Sequence, residues 1–251
     1  MQSGNPALNK NIFLDAASGA VFQRDANAMS FNGTVNKTGL MLALVVIGAA
    51  FSWSRFHGAE SLPAMAPLAL GGALVGFVLA LVTAFKQTWA PVTAPLYALV
   101  EGVFVGAVSA IFELRYPGIV MQAVALTFGT MAVLLVAYRS GWVRVTDKFR
   151  AGVVAATGGI MLVYLASFVM GFFGHSFGFI TASSGLGIAF SLLVVVIAAL
   201  NLVLDFDMIE QGVAAGAPKY MEWYGAFALT VTLVWLYLEM LRLLSKLQSR
   251  N

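Results

Sequence analysis

The 251 residues are 60% hydrophobic and only 10% charged, with a mean hydropathy of +0.88. One soluble core of this length cannot hide so much apolar surface, which excludes a soluble globular domain and points to an integral membrane protein. The chain has no cysteine, which removes disulfides, thiolate metal sites and thiol catalysis, and its net charge of +3 comes without any basic patch interleaved with stacking aromatics, so no nucleic-acid partner is expected.

In chain order, residues 1–36 mix Asn, Gln, Ser, Asp and Lys without an apolar face longer than a turn or two, and read as an N-terminal tail. The first apolar run begins near Gly39, too far in for a cleaved signal peptide, so the first helix is expected to be retained. Apolar runs long enough to cross a hydrocarbon core of roughly 30 Å follow near 38–54, 61–85, 91–112, 117–138, 151–173, 183–206 and 221–244. They are continuous rather than alternating, which excludes a β-barrel. The short loops make consecutive helices antiparallel neighbours. The expected organisation is a cytoplasmic tail (1–36), an all-α seven-helix transmembrane domain (37–247) and a C-terminal tail (248–251).

Basic residues near helix ends stay on the cytoplasmic side. Lys10, Arg24, Lys37, Lys86, Arg139, Arg144, Lys148, Arg150 and Lys219 fall in the tail and even-numbered loops, against Arg55 and Arg115 in the odd-numbered ones. The N-terminus is therefore predicted inside and the C-terminus outside, with Lys246 and Arg250. The tripeptides starting at Asn32 and Asn36 fit the N-glycosylation pattern but fall on the predicted cytoplasmic side. Gly174-His175-Ser176-Phe177-Gly178 matches the nucleophile elbow of serine hydrolases. That motif needs a strand-to-helix turn and an oriented base, whereas this copy lies between two transmembrane helices, so it reads as a turn and no enzyme is expected.

Carboxylates inside the spans are a sharper signal, because an ionised acid at mid-membrane costs about 2.5–3.5 kcal/mol and normally faces a partner or a watery cavity. Glu101 lies within the third span. Asn201 and Asp205 are four apart and share one face of the sixth, and Glu239 sits in the apolar run Trp235–Leu241. Structural readings stand beside these. Asp205 and Asp207 could be solvated charges at a helix end, Glu239 could pair with Arg242 or Lys246, Lys86 could be a snorkelling anchor, and Trp223-Tyr224 an interfacial belt.

The last two spans resemble the Bax inhibitor-1 family, the transmembrane Bax-inhibitor-motif proteins, in the step Phe206-Asp207-Met208-Ile209 and the run Leu236-Tyr237-Leu238-Glu239. The third span, Leu96-Tyr97 to Glu101-Gly102, fits as well, and Ser3-Gly4-Asn5-Pro6 resembles the start of a bacterial branch. The resemblance covers about residues 35–247. It implies a central seventh helix wrapped by six others, a bacterial inner-membrane location, and a pH-sensitive calcium leak path latched by Asp207 and Glu239, with Lys86 as an associated basic residue. Glu replaces the usual Asp on the seventh helix, and the 32-residue separation from Asp207 to Glu239 is long for the family. A simple hairpin turning near Ala214 or Ala215 sets Asp207 level with Glu222 instead. Either residues 213–224 include an extra loop, or Glu222 has taken the partner's role. Two carboxylates in hydrogen-bond reach share a proton, and losing it makes them repel. Asp205, Glu101 and Asn201 would add oxygens along the path, with weak calcium contacts at Asp207 and Glu239. No cofactor or tight calcium site is expected. The alternative is a membrane scaffold that binds membrane proteases or other membrane proteins without conducting ions.

Overall fold

The computed structural model describes residues 28–174, 177 and 182–250. Among these, seven helices are long and apolar enough to cross a membrane: α1 (Phe31–Trp53), α2 (Leu62–Phe85), α3 (Ala90–Arg115), α4 (Ile119–Arg139), α5 (Asp147–Phe172), α6 (Gly185–Ala214) and α7 (Met221–Gln248). The protein is an all-α, seven-span membrane bundle.

Three of the helices that outrun their apolar stretches bear on the site. α1 starts at Phe31, inside the expected tail, because Ser30 caps it by accepting the Gly33 N–H at 3.0 Å, while the Thr34 and Thr38 hydroxyls donate to carbonyls one turn back. These local bonds let a polar stretch be helical without an apolar face. α6 continues two turns past residue 206, so Asp205 and Asp207 stand within a helix rather than at its solvated end. α7 runs to Gln248, four residues past its apolar run and within one residue of the expected start of the C-terminal tail. The motif around Ser176 cannot be placed, since His175, Ser176 and Gly178 lie outside the described residues.

α7 is the centre. Buried residues make up 67% of its most apolar window, against 17% in α1, α2, α4 and α5, and it packs on α6, α1, α3 and α4. α1 and α3 cross backbone to backbone, where a Cβ at Gly102 would run into the Val45 carbonyl and one at Gly48 into that of Leu99. Gly106 repeats the contact one turn on, against Ala49, giving the small-xxx-small packing by which helices approach closely in lipid. Ser52 locks the crossing by donating to the Val103 carbonyl at 2.7 Å. α2 lies outermost, docked on α3 with Gly72 against Phe104.

Gly102→Ala should therefore lower the apparent thermal midpoint of the detergent-purified protein, by an amount corresponding to roughly 1–3 kcal/mol of overpacking. Gly129→Ala, whose added methyl meets nothing within 4 Å, should leave it unchanged. Equal midpoints for the two variants would refute the close crossing.

Candidate functional site

Two contacts set the register of α6 against α7. The Thr232 hydroxyl donates to Asp205 Oδ2 at 2.6 Å, and Lys246 Nζ donates to Ser191 Oγ at 2.8 Å. Asp207 is then level with Thr230, which puts it about 13.5 Å along the axis from Glu239 and about 12 Å from Glu222 at 1.5 Å per residue. Neither acid of α7 reaches it. The connection explains this offset. Residues 215–220 form a real loop, with Gly216 at φ +68°, and Ala28 and Met29 pair with its Pro218 and Ala217. The turn thus falls several residues later than the simple hairpin allows. The expected acid–acid latch is replaced by a separate partner for each acid.

Glu222, 1% exposed, is clamped by the start of α1. Ser30 donates to Oε1 through both its N–H and its hydroxyl, each at 2.9 Å, and Lys37 forms an ion pair with Oε2. Gly33 leaves room for this carboxylate, since any Cβ there would collide with it. Asp207 pairs with Arg150 of α5 and accepts from Gln211 at 2.6 Å. Glu239, 2% exposed, accepts from the Tyr164 hydroxyl of α5 at 3.1 Å and from Arg242 at 2.8 Å, while Arg242 also donates to Tyr164 at 2.5 Å. Here the expected Glu239–Arg242 pair is present, together with a phenol from another helix.

Between these clasps, Asp205 is fully buried. One turn away, Asn201 donates to Thr157 Oγ1 and to the Ile197 carbonyl, both at 2.8 Å, and its buried Oδ1 has no donor among the described residues. The order from one end to the other is Arg150–Asp207, Asp205–Thr232, Asn201–Thr157, Tyr164–Glu239–Arg242 and Ser191–Lys246. This is a polar seam between α5, α6 and α7.

Not every expected residue joins it. Glu101 is half-buried on the other side of the bundle, its carboxyl against Gly76 of α2. Lys86 is exposed at the C-cap of α2 and makes no ion pair among the described residues. Tyr224 belongs to the core rather than to an interfacial belt, fully buried with Phe227 nearby, whereas Trp223 stays half-buried beside Lys37. Among the described residues no group of three or more His, Cys, Asp or Glu is placed to hold a metal.

Sequence reasoning missed Arg150, Thr157 and Tyr164, and also Thr232. A signal was present. Arg150, Thr157 and Tyr164 repeat every seven residues on α5, and Thr232, Glu239 and Lys246 do so on α7, the spacing that keeps side chains on one face. Tyr138 of α4, which donates to Glu210 of α6, has no such pattern.

Seven spans, the last of them buried among the others, with acids of the last two helices held by neighbouring spans, define a compact polytopic membrane protein with a polar interior. The Bax inhibitor 1 like family matches the chain over residues 5–249, nearly its whole length, and the protein belongs to that family. Comparison with curated proteins returns no match.

The clamp on Glu222 should be cooperative. Lys37→Met and Glu222→Gln are each expected to destabilise the protein, and the double variant to cost less than the sum by roughly 0.5–3 kcal/mol, because each single change strands the other partner. Additive losses in thermal unfolding would show that α1 and α7 are not joined there.

Proposed function

We propose that the protein is a pH-sensitive leak path for cations, calcium foremost, in a bacterial inner membrane, with its N-terminus cytoplasmic. One observation carries this reading. The polar seam lies inside a seven-span bundle, follows the central helix from Thr232 to Lys246, and includes a fully buried Asp205 and an Asn201 oxygen without a donor among the described residues. Buried carboxylates and carbonyl oxygens in a membrane interior are expensive unless they meet partners, water or ions, and hard oxygen ligands suit calcium.

On this reading the gate works in the opposite sense to an acid–acid latch. With acids held by bases, the closed form is the ionised one, since Arg150 and Lys37 hold the charges of Asp207 and Glu222. Protonating a carboxylate removes the charge its partner holds, so acidification loosens the clasps that tie α6 to α5 and α7 to α1. A mutually repelling acid pair would open on alkalinisation instead.

Calcium flux into proteoliposomes at several pH values tests this. Wild-type flux should rise as pH falls, and Asp207→Asn, which mimics the protonated acid, should conduct more at neutral pH with a flattened pH response. Asp205→Asn should change conductance while leaving the direction of the pH response intact. Flux no greater than in empty liposomes at any pH would sink the leak reading in favour of a scaffold that binds membrane proteases or other membrane proteins. A rise on alkalinisation would refute the acid–base clasp.

A further inference from the structure

At the end of the bundle opposite the N-terminus, α3, α5 and α7 enclose a cavity of about 550 Å³. Three cationic side chains line it, Arg115 from α3 with Arg242 and Lys246 from α7, together with the hydroxyls of Ser167 and Ser245. Few acids oppose them. Glu239 lies behind Arg242 at 2.8 Å, and Glu113 of α3 is engaged elsewhere, accepting the Gly118 N–H at 2.5 Å and the Val120 N–H at 3.1 Å. The acids of α5 and α6 sit toward the other end of those helices, so the cavity carries two more positive charges than negative ones. An excess of positive charge in a partly buried cavity suits an anion.

The geometry points to a binding site for a phosphate group, supplied either by the headgroup of an anionic phospholipid or as free inorganic phosphate. Guanidinium forks match phosphate oxygens two at a time, an ammonium adds a point charge, and serine hydroxyls serve the remaining oxygens. Two of the cations are already positioned. Lys246 Nζ is held by the Gly187 carbonyl at 3.0 Å and by Ser191, and Arg242 is fixed by Tyr164, so little side-chain freedom is lost on binding. The opposite wall is apolar. Ile111 and Phe168 line the same cavity and remain 39% and 66% exposed on the bundle surface, a continuation suited to an acyl chain below a headgroup.

The site stands independently of whether the protein conducts, and the test measures binding alone. Full-length protein in an uncharged detergent is titrated separately with sodium phosphate and with short-chain phosphatidylglycerol, each against sodium chloride at matched ionic strength, and read by calorimetry. Saturable binding of at least one probe is expected, weakened about tenfold in Arg115→Gln through loss of a charge-assisted bond. Tighter binding of the lipid assigns the site to a headgroup, and tighter binding of phosphate assigns it to the free ion. Arg115 is exposed at the end of α3, so its replacement spares the fold, whereas Lys246→Gln alters a buried contact and serves as a second variant, accepted only if its thermal midpoint is kept. No saturable binding beyond chloride, or unchanged affinity in Arg115→Gln, would overturn the proposal.

Discussion

A charge buried in lipid must find its counterpart inside the protein, and this requirement organises the bundle. Water cannot complete the hydration of Asp205, Glu222 or Glu239 once the helices assemble, so each is satisfied by a side chain from another helix or a neighbouring turn. The partners come from the start of α1, from α5 and from α7 itself. Lipid supplies no hydrophobic force to hold helices together, and these polar contacts take over part of that work alongside close packing at glycines. The central position of α7 is the geometric outcome, because only a helix surrounded by others can offer polar groups in several directions without facing lipid.

The two halves of this arrangement behave differently. On one side, α1 and α3 meet through Gly48, Gly102 and Gly106 at backbone contact distance, a rigid joint with no charged group in it. On the other, α5 packs less extensively and is tied to α6 and α7 largely by Arg150, Thr157 and Tyr164. A joint made of hydrogen bonds and ion pairs responds to protonation, whereas a joint made of packed glycines does not. The ionisable contacts between helices on this side therefore concentrate at α5, on the seam, apart from the apolar joint of the glycine-packed helices.

Much of the site could be read in advance, with the wrong partners. Asp205, Asn201, Asp207, Glu222 and Glu239 attract attention because charge and amide groups are costly in apolar runs, and all five are engaged in interhelical or capping contacts. Partner choice was not readable from spacing. It depends on where α6 ends and α7 begins, and the loop at 215–220, pinned by Ala28 and Met29, shifts the register by several residues. Thr157 and Thr232 were overlooked because hydroxyls that satisfy a carboxylate or an amide look unremarkable among apolar neighbours until the opposing helix is in view.

Composition and hydropathy by themselves determined that the chain is a membrane protein, that it is helical, and that it has seven spans, because the thickness of the hydrocarbon core and the rise of a helix leave no other solution. The pattern of acids within the runs determined which helices carry the costly groups. Tertiary structure alone decided which base or hydroxyl meets each acid, that Glu101 and Lys86 stand apart from the seam, and that Arg115, Arg242 and Lys246 converge on one cavity. Such meetings join residues dozens to nearly two hundred positions apart, and they are set by helix register and crossing, which local propensity does not encode.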